Sequence, residues 1–208
     1  MVEWKTFNRF SDYEHSINLM ENAVKNIISG NVQEQIWLLE YEPIYTKGTS
    51  GRDSDIIDKM NIPVLKTKRG GQITYHGPGQ RIIYPLLKLR NYQKDVRCYI
   101  WMLEEWLIKT LDSFNVKSHR QTGDVGVWIS GQDGEEKIAA IGVRISKWIS
   151  SHGVSVNIKP DLSKYGGIVP CGIKDRGVTS LSQMGLNISY EDFDEELKKA
   201  FFEVFQKI

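Results

Sequence analysis

A chain of 208 residues, 40% hydrophobic and 25% charged, suits a single domain spanning 1–208 that buries its own core without staples. Its formal charge of +1 excludes the bulk basicity of a nucleic-acid-binding protein. There is no signal-peptide pattern at the start and no apolar run of about 18 residues, so a cytoplasmic protein that avoids membranes is expected.

Val2–Phe10 is expected to open the fold as a strand. Ser11 with Glu14 forms a capping-box pattern, and the helix it starts runs to a stop at Gly30. Residues 34–41, EQIWLLEY, predict a buried strand. EPIYTKGTSGRDSD predicts a polar loop, DIIDKM a short helix, and IPVLKTKR the approach to a strand. GGQITYHGPGQRIIYPLLKL predicts two strands around a Gly-Pro-Gly turn, as a hairpin or as strand–loop–strand. Asp95 caps the clearest helix. Val96, Tyr99, Ile100, Leu103, Trp106, Leu107, Thr110, Leu111 and Phe114 share one of its faces. DVGVWISGQDGEEKIAAIGVRI predicts two strands, WISSHGVSVNI a third beside them, and Ser189 with Asp192 starts a last helix ending near Lys207. Hairpins mixed with separated helices predict an α+β fold, with a mixed or largely antiparallel sheet and helices packed on it.

The stretch RGGQITYHGPGQ (69–80) concentrates polar side chains, Arg69, Gln72, Thr74, Tyr75 and His76, beside the paired glycines Gly70 and Gly71. It matches neither a phosphate-binding nor a dinucleotide fingerprint, yet its composition favours a binding loop over a plain turn. With no CxxC or HxxxH spacing, no metal site is expected. Lys137 precedes an apolar strand carrying the small residues Ala139, Ala140 and Gly142. Gly153 and Ser155 repeat the theme, leaving room for a long apolar ligand. Cys171, between Pro170 and Gly172, sits in a loop where an accessible thiol is at home, whereas Cys98 lies in an apolar helix as an inert core cysteine. A neighbouring cation would turn the Cys171 thiol into a nucleophile. Lys137, His76, Arg69, Lys174 and Arg176 are the candidates, and the residues alone do not choose among them. Between 64 and 97, eight lysines and arginines face one acid, Asp95, a pattern of either a solvated face or a dock for an acidic partner.

Three blocks, RGGQITYHGPGQRIIY (69–84), KIAAIGVRISKWISSHGVSVN (137–157) and IVPCGI followed by GVTSL (177–181), resemble in order the lipoyl(octanoyl) transferase family. The resemblance implies the catalytic fold of biotin and lipoate protein ligases. It also implies transfer of an octanoyl group from octanoyl-acyl carrier protein to a lysine of lipoyl domains of 2-oxoacid dehydrogenase complexes and of glycine cleavage H-type proteins, as the first step of protein lipoylation. It implies a thioester on Cys171, with Lys137 lowering the thiol's pKa. The substrate pocket it implies is lined by Arg69, Gly70, Gly71, Gln72, Ile73, Thr74, Tyr75 and His76, by Ala140, Ile141 and Gly142, and by Gly153, Val154 and Ser155. No cofactor is implied, neither ATP nor metal. The alternatives are an ATP-dependent lipoate or biotin ligase of the same fold, a non-catalytic acyl-binding module, and a cysteine hydrolase pairing Cys171 with His76.

Overall fold

A computed structural model describes residues 2–7, 12–91, 95–131, 134–169 and 177–205. Two sheets divide the strands. The larger contains β1 (Glu3–Thr6), β2 (Gln35–Leu39), β6 (Gln80–Leu86), β10 (Ile149–Asn157), β9 (Glu135–Ser146), β8 (Asp124–Ser130) and β7 (His119–Gln121), in that spatial order. The two-residue β11 (Gly177–Val178) joins β9. Its pairings are antiparallel except for β1 with β2 and β11 with β9. The smaller sheet places β3 (Ile44–Lys47) between β4 (Val64–Lys66) and β5 (Ile73–His76).

Three helices cover the large sheet. α2 (Val96–Asp112) and α3 (Tyr190–Phe205) bury Leu103, Trp106, Leu107, Phe193, Leu197 and Phe201 against Ile36, Leu38, Ile83, Val154 and Val156. α1 (Tyr13–Ser29) buries Met20, Val24 and Ile27 with Trp37, Leu39, Ile82, Tyr84 and Leu86, the alternate residues of the same strands. Period-two alternation thus assigns each strand one face to each layer. Each fully buried leucine or isoleucine stabilises the fold by about 1.5–3 kcal/mol.

The three long helices expected form, with one change of cap. Asp12 caps α1, its carboxylate accepting the His15 N–H at 2.7 Å, and Gly30 ends the helix at φ 81°. The expected cap, Ser11, lies outside the described residues. Asp95 caps α2 as expected, accepting from Arg97 N at 2.7 Å. Val96, the first residue of α2, is exposed instead of facing the core. Ser189 accepts the Asp192 N–H at 3.0 Å ahead of α3.

Three segments differ from expectation. The polar loop contains β3, because β-branched and aromatic Ile44, Tyr45 and Thr46 find partners on both sides in β4 and β5. DIIDKM is not a helix: only a 3-10 turn at Asp53–Asp55 precedes Met60 and Asn61, both at positive φ. β5 and β6 are not a hairpin, since β5 pairs with β3 and β6 pairs with β2 and β10. The Gly77–Gly79 turn therefore carries the chain from one sheet to the other.

Candidate functional site

That crossing creates a cleft between β5 and the α1-side face of β6, β9 and β10. All the residues expected to line a pocket do so except Gly70 and Tyr75. Tyr75 points to the opposite face of β5, into a separate core with Tyr45, Ile62 and Tyr165. Gly70 acts through its backbone: its N–H donates to Val143 O at 3.0 Å, fastening the loop onto β9. The expectation that small residues leave empty room needs refinement. A Cβ on Gly142 would lie 2.9 Å from Gly70 O, and one on Gly153 would lie 2.1 Å from Ile83 O. These glycines let main chains touch and so build the walls.

Arg69, 7% exposed, donates through Nη2 to the Thr46 carbonyl at 2.5 Å and to Thr46 Oγ1 at 2.9 Å, and through Nη1 to Gly70 O at 3.0 Å. Its charge is thereby fixed inside the cleft wall. His76 faces it. Burial first, and the Arg69 guanidinium second, push the His76 imidazole down to about 3, so the ring is neutral. Gln80 orients that ring. Its amide nitrogen donates to Asn157 Oδ1 at 2.9 Å and Tyr165 OH at 2.7 Å, which turns Oε1 toward His76 Nδ1 at 3.1 Å. Nδ1 therefore carries the hydrogen and Nε2 the lone pair. Asn157 in turn donates to Thr179 O at 2.9 Å. A buried chain of polar groups thus runs from the cleft to the residue that follows β11.

Lys137 does not line the cleft. Its Nζ lies 4.6 Å from the Trp128 ring centroid and donates to Val125 O at 3.1 Å, with the residue 8% exposed. Packing against Trp128 takes the lysine out of solvent. A bulge sets its direction: Val127 pairs with Ala139 but Trp128 with Lys137, so β9 carries one extra residue. Ile138 and Ala139 both enter the α2–α3 core. Lys137 then shares the opposite face with Ala140 and Gly142.

Val178 pairs with Lys137 across the parallel β9–β11 contact, and Thr179 N donates to Lys137 O at 3.1 Å. Cys171, Lys174 and Arg176 lie outside the described residues. The ends of their segment are fixed: Val169 N donates to Asp55 O at 2.7 Å, and Gly177 pairs with Glu136. Cys98 is only half-buried, packed against the main core. The basic stretch does not form one face. Arg69 and Arg81 are buried, Arg81 with Asp194 at 2.7 Å, and Lys68 pairs with Glu21 at 2.9 Å. Among the described residues no cluster could hold a metal ion, and no helix is long and apolar enough to cross a membrane.

Sequence reasoning missed Ile82, Tyr84 and His152 in the lining. Only the strand register, in which Ile82 faces Ser155, would have placed the first two there.

Residues 12–202 match the family model described as the lipoyl protein ligase A/B catalytic domain. An octanoyltransferase of Jannaschia sp. is 49% identical, covering 99% of this chain and 99% of that one. The chain belongs to the octanoyltransferase family. Further octanoyltransferases, from Nitrobacter winogradskyi and Bartonella quintana, are 50% and 46% identical over 98% of this chain, covering 90% and 87% of their own lengths. Among solved structures, a bipartite lipoate protein ligase of Thermoplasma acidophilum superposes with TM-score 0.73 at 14% identity, over 99% of this chain and 84% of that one. A biotin protein ligase of Aquifex aeolicus superposes with TM-score 0.58 at 14% identity, over 100% of this chain and 70% of its own. The chain thus shares the fold of lipoate and biotin protein ligases, as the resemblance implied.

Proposed function

We propose that this chain transfers an octanoyl group from acyl carrier protein to a lysine of lipoyl domains, through a thioester on Cys171. Near-50% identity to octanoyltransferases along the whole chain is the observation that carries the reading. Cys171 thiolate attacks the donor thioester carbonyl, and the carrier's thiolate leaves. One thioester replaces another at nearly balanced free energy, so no nucleotide is needed. The target lysine's amine then attacks the enzyme thioester, Cys171 departs as thiolate, and the amine's proton passes to a base. Lys137 is assigned both tasks: as ammonium it stabilises the thiolate, and as neutral amine it takes the proton. The register of β11 on Lys137 supports this assignment, because the segment holding Cys171 ends beside that lysine. Backbone N–H groups supply the simplest oxyanion stabilisation. The acyl chain lies in the cleft between Arg69–His76 and the Ala140–Gly142 and Gly153–Ser155 strands. The acceptors are lipoyl domains of 2-oxoacid dehydrogenase complexes and glycine cleavage H-type proteins, and the reaction takes place in the cytoplasm.

The test is intact mass after incubation with octanoyl-carrier protein. Wild type gains one octanoyl group, and Cys171→Ser does not. Turnover only with ATP and free octanoate would instead identify a ligase.

A further inference from the structure

His152 has features that the proposed reaction leaves unused. It is 3% exposed, and its Nδ1 has no hydrogen-bond partner among the described residues. Its backbone sits at φ 55°, a left-handed conformation that is costly for a residue with a side chain. Its ring nitrogen Nδ1 makes no hydrogen bond among the described residues, so what the side chain contributes there is the space its ring fills. That ring borders two cavities at once. One is the cleft beneath β5. The other is a groove between α1 and the 65–68 segment, lined by Tyr13, Ile17 and Leu65 and by the charged Glu14, Glu21 and Lys66. Tyr84 meets the ring edge-on at 5.8 Å, and Met20 Sδ accepts the His152 N–H at 3.2 Å, so the wall is held from both sides.

Strand register gives the cleft a direction. Leaving Lys137, Ala140 faces Ser155, Gly142 faces Gly153, and Val143 faces His152. His152 therefore stands at the end of the slot remote from Lys137. From Ala140 to Val143 a strand advances about 10 Å, close to the reach of an extended eight-carbon chain.

We infer that His152 is the floor of the acyl slot and sets acyl-chain length, closing off the groove beyond it to longer chains. This rests on the octanoyl-transfer reading. The experiment loads the full chain from carrier proteins bearing octanoyl, decanoyl or dodecanoyl groups and follows each adduct by intact mass. Wild type is expected to load octanoyl at least about tenfold faster than dodecanoyl. His152→Gly and His152→Asn both tolerate the left-handed backbone while removing the ring. Each further methylene that gains burial is worth about fourfold, so the dodecanoyl-to-octanoyl ratio should rise at least about tenfold in both. Equal loading of all chains by wild type, or an unchanged ratio in either folded variant, overturns the inference while leaving octanoyl transfer standing. Absence of any wild-type octanoyl adduct overturns the transfer reading itself and the inference with it.

Discussion

Val178 and Lys137 are register partners on adjacent parallel strands, and the bond from Thr179 N to Lys137 O extends that pairing. The segment that ends at Gly177 is thereby tied to the one buried lysine proposed to act on Cys171. Lys137→Met keeps most of the stem over Trp128 and deletes the ammonium. Octanoyl-adduct formation is expected to fall about 100-fold or more, within the usual contribution of a positioned acid or base. Lys137→Arg keeps the charge but cannot give up its proton, so it should form the adduct better than Lys137→Met yet fail to pass the acyl group on. Single-turnover mass kinetics separates the two steps; equal rates in both steps for both variants would remove Lys137 from the reaction.

The cleft's two histidines set an acid limit on stability. Burial, then the Arg69 charge, hold His76 down at about 3 and His152 at about 4. In the unfolded chain an imidazole takes its proton near pH 6.5. Between those values the unfolded state binds more protons, so stability is fully present above about pH 6.5 and is lost as pH falls toward the folded values. Inside its window each histidine contributes a slope of about 1.4 kcal/mol per pH unit. Urea midpoints should be flat from about pH 7 to 8 and fall steadily from about 6.5 to 4.5. His152→Asn should flatten part of that fall, and an identical slope in the variant would contradict the assignment.

Gly142 and Gly70 meet main chain to main chain. Gly142→Ala places a methyl against Gly70 O, where the fastened loop can yield only by moving. The expected cost is about 1–3 kcal/mol, read as a lower urea midpoint. Acyl loading should weaken together with it, because the same contact builds the cleft wall. Full stability with normal loading would show that the loop gives way freely.

Gln80 joins His76, Asn157 and Tyr165. Gln80→Leu strands a buried imidazole N–H, while Asn157 Oδ1 keeps Tyr165 OH as a donor at 3.3 Å. A loss of about 1–3 kcal/mol is expected, the cost of one unpaired buried group. Gln80→Glu offers His76 Nδ1 a carboxylate instead, and should raise that ring's titration, followed by NMR of the imidazole protons. A His76 titration unmoved by the carboxylate would refute the tautomer assigned above.

Local pattern was legible in the sequence wherever one element decided it. Asp95 and Gly30 mark helix ends by their own chemistry, and the α2 face is written in the spacing of Tyr99, Leu103, Trp106 and Leu107. The Arg69–His76 run announced itself by crowding polar groups next to glycines. What stayed hidden depends on pairing between distant segments. β3 is too short and too polar at its flanks to be distinguished from a loop until β4 and β5 lie beside it. Tyr75 looked like a lining residue because its neighbours are, yet alternation along β5 turns it away. His152 gave no signal, since its importance comes from the two spaces its ring separates.

The extra residue in β9 makes distance along the chain a functional quantity. Delete Ile138 and alternation still sets Lys137 opposite Ala139, on the cleft side, but insert one residue between Lys137 and Ile138 and the same side chain turns to the helix-covered side. Replacing residues one at a time would never reveal this dependence. A scan by single insertions would, with activity lost where the added residue itself touches nothing in the cleft.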